Sequence, residues 1–125
     1  MNFHFMFAAL IAPALLVGCA SQPKQLYMWG SFPKIQYEAL QGNLGTATDK
    51  IAAMDAHAEK ARASNAALPP GFRAHLGMLN LSEGNVDRAR QLWIEEKTVF
   101  PESASYIDQL LNRLDRKPTD TEKPA

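Results

Sequence analysis

The chain has 125 residues, of which 13 are Lys or Arg and 13 are Asp or Glu, so its formal net charge is zero. Proteins that hold nucleic acid or anionic lipid headgroups by electrostatics carry an excess of basic residues, and this composition excludes that class of binding. The single cysteine excludes an intramolecular disulfide, so the fold must rest on its hydrophobic core.

The N-terminal segment carries a signal for export and lipidation. Residues 5–17 form an uncharged apolar run of the length of a secretory signal, whereas Pro13 and Lys24 argue against a membrane span of about twenty residues. Residues 16–19, Leu-Val-Gly-Cys, resemble the bacterial lipobox, whose cysteine is diacylated and becomes the N-terminus after cleavage. We therefore predict lipidation at Cys19. The alternative is an ordinary secretory signal with an incidental cysteine.

Composition divides the chain into four parts. We predict a lipoprotein signal peptide at residues 1–18, a lipidated tether at 19–25, a helical domain at 26–116 and a disordered tail at 117–125. The tether and the tail are polar and contain proline, which suits linkers. Lipoproteins retained at the inner membrane tend to carry Asp after the cysteine. Ala20 at that position favours the periplasmic face of the outer membrane.

Helical periodicity predicts an all-α domain of about five helices. Pro33 opens the first, short helix. Residues Thr46 to Asp49 have the form of a capping box, which begins the second helix. Apolar residues then recur on one helical face at Ala47, Ile51, Met54, Ala58 and Ala61. Asn65 ends this helix.

Three more helices follow, and each is bounded by cap or breaker residues. Pro70 is expected in the first turn of the third helix, and Gly84 is expected to close it in a left-handed conformation. Asn85 is expected to cap the fourth helix, which Pro101 ends. Residues Ser105 to Asp108 offer a second capping box for the fifth. The apolar stripe of that helix is Ile107, Leu110, Leu111 and Leu114.

The third and fourth helices match part of the tetratricopeptide repeat template. The matching positions are Leu76, Gly77, Ala89, Trp93 and Pro101. Gly77 and Ala89 would let the two helices approach closely while Trp93 fills the remaining gap. Arg73 and Asn80 depart from the template, which has Trp and Tyr there. The template does not match one repeat upstream, so we predict a single repeat-like hairpin with flanking helices. The alternative is a generic helical hairpin.

Three aromatic residues lie close together beside the tether, in a segment without helical period. In one interpretation, Tyr27, Trp29 and Phe32 lie in a groove of the helical domain and complete its core. In the other, they form an exposed patch that docks a partner or lies at the lipid interface, where Trp and Tyr are favoured. These three residues and Asn80 are the candidate partner-binding residues.

Several short motifs together resemble one protein family. They are the lipobox, L-Y-x-W-G-x-F at 26–32, Y-E-x-L at 37–40, P-P-G-F-x-A-H-L-G-M-L at 69–79, G-N at 84–85 and E-K-x-x-F-P-E-S-A at 96–104. The chain resembles a family of small Gram-negative outer-membrane lipoproteins classed as a domain of unknown function. Its members are encoded beside a lipoprotein that resembles the curli secretion channel. The resemblance implies a component of an envelope lipoprotein assembly, with such a channel-like lipoprotein as a candidate partner, and it supplies no catalytic residue.

Residue types used in catalysis are present but do not form a recognisable arrangement. His57 and His75 fall on different predicted helices without a metal-ligand spacing, so no metal site is expected. We expect His75 to be a hydrogen-bonded structural residue. Glu95 and Glu96 are consecutive and are expected on a solvated helix face. The sequence therefore predicts neither an enzyme nor a cofactor.

These features favour a non-enzymatic adaptor, anchored to the outer membrane, that binds another envelope protein and no nucleic acid. The alternative is a lipoprotein that contacts peptidoglycan or another glycan. An aliphatic groove that includes Asn80 would favour the adaptor. Exposed Trp29 and Tyr27 beside paired carboxylates would favour glycan contact.

Overall fold

The computed structural model describes residues 25–42 and 45–116, and within them the fold is all-α, as predicted. The five helices are α1 (Phe32–Leu40), α2 (Ala47–Ala63), α3 (Phe72–Ser82), α4 (Val86–Val99) and α5 (Ala104–Asp115). A 3-10 turn at Pro101–Ser103 joins α4 to α5. The predicted signal peptide, Cys19, most of the tether and the predicted tail lie outside the described residues.

The boundaries of α1 and α2 follow the predicted local signals. Pro33 lies in the first turn of α1, where its missing amide hydrogen costs no hydrogen bond. At the start of α2, the Asp49 amide donates to Thr46 Oγ1 at 3.2 Å and the Thr46 amide donates to Asp49 Oδ2 at 3.1 Å. This reciprocal pair is the predicted capping box. Asn65, with a positive φ of 51°, follows the end of α2.

Two predicted helix starts and one predicted N-cap are wrong in detail. α3 begins at Phe72 after Gly71 in a left-handed conformation, so Pro70 lies outside the helix. Asn85 precedes α4, but its ψ of 66° is not extended and its side chain caps no amide. The 3-10 turn leads directly into α5 at Ala104, which places Ser105 inside the helix and removes the second capping box.

The hairpin of α3 and α4 is the centre of the domain. Gly84, at a φ of 80°, turns the chain between these two helices, which make the most extensive helix–helix contact among the described residues. α2 packs on α3, and α5 packs on α4. One apolar cluster joins α1, α2, α3 and α4 through Phe32, Ile35, Met54, Phe72, Leu76 and Leu92. The other joins α3, α4 and α5 through Ala74, Trp93 and Ile107.

Of the helices in residues 25–42 and 45–116, none is both long and apolar enough to cross a membrane.

Candidate functional site

Close contact between α3 and α4 is centred on Trp93. Its side chain is 1% exposed, and its Nε1 donates a hydrogen bond to the Ala74 carbonyl at 3.1 Å. The indole lies directly over Gly77, where an added Cβ would overlap Nε1 and lie 2.6 Å from Cδ1. Ala89 is fully buried. Leu76 is buried in the neighbouring apolar cluster. Four of the five template residues of the hairpin therefore have packing roles, whereas Pro101 is exposed and follows the end of α4.

Glu96 departs from the sequence-based prediction of a solvated side chain. It is 1% exposed, and its carboxylate accepts hydrogen bonds from the amide of Gly71 at 2.6 Å and from that of Arg73 at 3.2 Å. Because Gly71 has no side chain, α3 lacks a cap of its own. The carboxylate from α4 therefore satisfies free amides at the positive end of the α3 dipole. The one sequence signal for this contact was that α3 begins after a glycine, which has no side chain to cap the helix.

A concave groove of about 760 Å³ lies between α2 and α4, over the N-terminal half of α3. We call it the α2–α4 groove. Its floor consists of small and aliphatic side chains with one aromatic ring: Ala58, Ala61, Leu68, Phe72, Leu76 and Leu92. Residues 65–68, between α2 and α3, close one end. The position of this groove is not evident from the sequence, because its walls come from helices that are not consecutive in the chain.

Charged side chains form the walls of the groove. Asp55, Glu59 and Arg62 line it from α2, and Arg88 and Glu95 line it from α4. Arg62 pairs with Glu59. Glu95 pairs with Arg73 Nε at 3.6 Å. Arg73 also lines the groove, at the position where the repeat template has a Trp.

The segment before α1 is fixed to the domain by its backbone. The Met28 amide donates to the Ala67 carbonyl at 2.8 Å, and His57 Nε2 donates to the Met28 carbonyl at 2.8 Å. Gly30, at a φ of 45°, lies so close to this imidazole that an added Cβ would be 2.8 Å from Nδ1. The segment therefore needs glycine at this position.

The three aromatic candidates occupy different environments. Phe32 is 3% exposed and belongs to the core, where its ring centroid lies 5.1 Å from that of Phe72. Tyr27 is half-buried with its ring 6.0 Å from that of Phe100. Trp29 stacks on Phe32 at a centroid distance of 6.4 Å and remains 41% exposed. A partner could therefore reach Trp29, whereas Phe32 is inaccessible.

Asn80 is not available to a partner. It is 5% exposed, and its Nδ2 donates to the Leu76 carbonyl at 2.9 Å within α3. It also does not line the α2–α4 groove. Its backbone carbonyl accepts from the Asn85 amide at 2.9 Å, so this residue stabilises the turn of the hairpin. Because Asn80 is buried, the prediction that it binds a partner is wrong.

The two histidines have different surroundings. His57 is buried and hydrogen-bonded, whereas Nε2 of His75 is buried without a partner among the described residues, contrary to the expectation of a satisfied side chain. Burial, followed by the nearby positive charge of Lys50, lowers the pKa of His75 below its ordinary value of 6.5. No group of three or more His, Cys, Asp or Glu side chains in the described part of the chain could hold a metal ion.

Comparison with known proteins identifies one family. A family model described as a domain of unknown function, DUF4810, matches residues 26–110, which include all five helices up to Leu110 of α5. No curated protein and no solved structure matches the chain. Because the matched region spans most of the chain, this protein belongs to the DUF4810 family.

Proposed function

We propose that this protein is a helical adaptor, anchored by lipid to the periplasmic face of the outer membrane, that binds another envelope protein. The α2–α4 groove carries the proposal. A concave surface with an apolar floor and polar walls is the usual form of a site that accepts a peptide or a helix. The tetratricopeptide-like arrangement of α3 and α4 belongs to the proposal, and the close contact at Gly77 and Trp93 supports it.

The anchor rests on the sequence of residues 16–19 and on the resemblance to small outer-membrane lipoproteins. A diacylated cysteine together with an amide-linked acyl chain would hold the chain at one membrane surface, since each buried methylene contributes about 0.8 kcal/mol. A channel-like lipoprotein encoded beside family members is a candidate partner, because it would share that surface.

A binding role fits the groove better than a catalytic one. Two of its three carboxylates are occupied in ion pairs, Glu59 with Arg62 and Glu95 with Arg73. Neither histidine lines the groove.

Glycan contact is the second candidate, and the exposure of Trp29 is the observation in its favour. A sugar-binding tryptophan is expected beside carboxylates. The shallow pocket next to Trp29, formed in part by Ser31, His57 and Lys60, contains no carboxylate among its lining residues in the described part of the chain. This composition favours the adaptor.

Photo-cross-linking in living cells tests the proposal. A photoreactive phenylalanine replaces Arg62 on the groove wall, Trp29 on the aromatic segment or, as a control, the exposed Gln109 on α5. We expect one protein adduct from position 62 that is absent from position 109. Adducts of equal yield from both positions, or from neither, would contradict an adaptor role for the groove. Muramidase-sensitive adducts from position 29 alone would support glycan contact instead.

A further inference from the structure

Each wall of the α2–α4 groove has one charged side chain without a charged partner among the described residues. Asp55 on α2 makes no ion pair within residues 25–42 and 45–116. Arg88 on α4 donates to the neutral side chain of Gln91 at 3.1 Å and likewise has no carboxylate partner among the described residues. The remaining wall charges are paired within the protein. Asp55 and Arg88 are therefore the charges that a ligand in the groove would meet.

Helix geometry places these two charges at a similar depth along the groove. Asp55 lies two turns, about 12 Å, before the end of α2, where residues 65–68 close the groove. Arg88 lies two turns, again about 12 Å, before Glu96, whose carboxylate contacts Gly71 at the start of α3. The start of α2 meets the end of α3 through a hydrogen bond from Thr48 to Glu83, so α2, like α4, runs antiparallel to α3. Asp55 and Arg88 therefore lie on opposite walls of the groove.

Two backbone groups at the closed end of the groove are already hydrogen-bonded within the protein. The Ala67 carbonyl accepts from the Met28 amide at 2.8 Å, and the Ala66 amide donates to the Ala61 carbonyl at 2.9 Å. We therefore expect a ligand to be recognised mainly through side chains. The small, partly exposed side chain of Ala58 on the floor leaves room for a bulky aliphatic side chain of a helix.

Resting on the proposed adaptor function, we propose that the α2–α4 groove binds an amphipathic helix of the partner protein. The apolar stripe of this helix lies on the floor, a basic side chain on one flank faces Asp55, and an acidic side chain on the other flank faces Arg88. From Arg88 to Val99 the α4 wall is about 16 Å long, which matches about three helical turns.

The position of the tether limits where this helix can lie. The bridge between Tyr27 and Ala67 is parallel, so the chain that precedes Tyr27 approaches from the side of Asn65 and Ala66, at the closed end of the groove. The chain between Cys19 and Gln25 can span at most about 20 Å. The partner helix must therefore lie close to the membrane surface.

A panel of synthetic peptides tests the inference. Three helical peptides share one leucine stripe and differ in their flanks: the mixed peptide has Lys on one flank and Glu on the other, the acidic peptide has Glu on both, and the basic peptide has Lys on both. Fluorescence anisotropy measures their binding to the full lipidated chain in phosphatidylcholine nanodiscs, with empty nanodiscs as the blank. The variants are Asp55→Lys, Arg88→Glu and the control Glu102→Lys, which makes the same kind of charge change outside the groove.

We expect the unmodified chain and Glu102→Lys to bind the mixed peptide about three- to tenfold more tightly than the other two, because each mismatched flank replaces attraction with repulsion. Asp55→Lys should favour the acidic peptide, and Arg88→Glu should favour the basic one. Tight binding of a different peptide also shows that each variant is folded.

Equal affinities for the three peptides, or no binding of the mixed peptide, would overturn the inference. If cross-linking from position 62 nevertheless yields a partner, the adaptor function stands and the ligand has another shape. If position 62 gives no cross-linked partner but the expected ranking of peptide affinities is observed, the groove is a helix-binding site and the adaptor function is wrong.

Discussion

Glu96 provides the most direct test of how α3 and α4 hold each other. Replacing it with Ala removes both carboxylate oxygens from the amides of Gly71 and Arg73, 2.6 Å and 3.2 Å away. The site is buried, so water cannot replace the lost acceptor without opening the hairpin. Glu96→Ala should therefore destabilise the fold through the start of α3.

The magnitude follows from the contacts that are lost. Removing a helix N-cap costs about 1 kcal/mol, and a buried amide left without an acceptor costs about 1–3 kcal/mol. We expect Glu96→Ala to lower the free energy of unfolding by about 2–4 kcal/mol, or the Tm by roughly 10–25 °C for a domain of this size. Glu96→Gln keeps one acceptor oxygen and should lose about half as much.

Glu95 is a matched control in the adjacent position. Its side chain is 43% exposed and meets Arg73 at 3.6 Å, so Glu95→Ala should cost about 1 kcal/mol or less. Circular dichroism at the helical minimum, followed through thermal and urea unfolding, compares the variants. If Glu96→Ala and Glu95→Ala melt within a few degrees of each other, the Glu96 carboxylate does not stabilise α3 and the reasoning is wrong.

Three further results are expected. Trp93→Ala should lower the free energy of unfolding by about 3–5 kcal/mol, because the indole fills the space between the two helices of the hairpin. The control is Ile94→Ala, which removes an exposed neighbouring side chain and should change this free energy little. Equal urea unfolding curves for the two variants would contradict the prediction. The pKa of His75 is lower in the folded protein, so the unfolded chain binds the proton more readily and stability should fall as pH drops below about 6.5, as seen in a lower Tm. His75→Gln should flatten that pH dependence, and an unchanged slope would exclude His75 as its source. Cys19→Ala should abolish labelling by a palmitate analogue in cells, and label retained in the variant would refute lipidation at this residue.

Local sequence signals were sufficient to predict the all-α class and most of the secondary structure. A capping box depends on residues three apart, so the one formed by Thr46 and Asp49 could be predicted without knowledge of the fold. A left-handed turn depends on one glycine, so the turn at Gly84 could be predicted in the same way. The burial of Trp93 was also predictable, because a large aromatic side chain fills the space that a glycine on the facing helix leaves open. Starts such as that of α5 were missed because the 3-10 turn at Pro101–Ser103 moved the boundary.

The sequence by itself also determined the family and the position of the single cysteine, at the end of the N-terminal apolar run. Only the tertiary structure decided which polar residues are buried and where a groove lies. Glu96 and Asn80 are polar residues that would be expected at the surface, yet both are buried. Glu96 accepts a hydrogen bond from an amide 25 residues away, and Asn80 lies within the hairpin. The walls of the α2–α4 groove come from helices separated by α3. Such placements depend on how helices pack, since helical periodicity specifies one buried face for each helix but not which distant residues that face will meet.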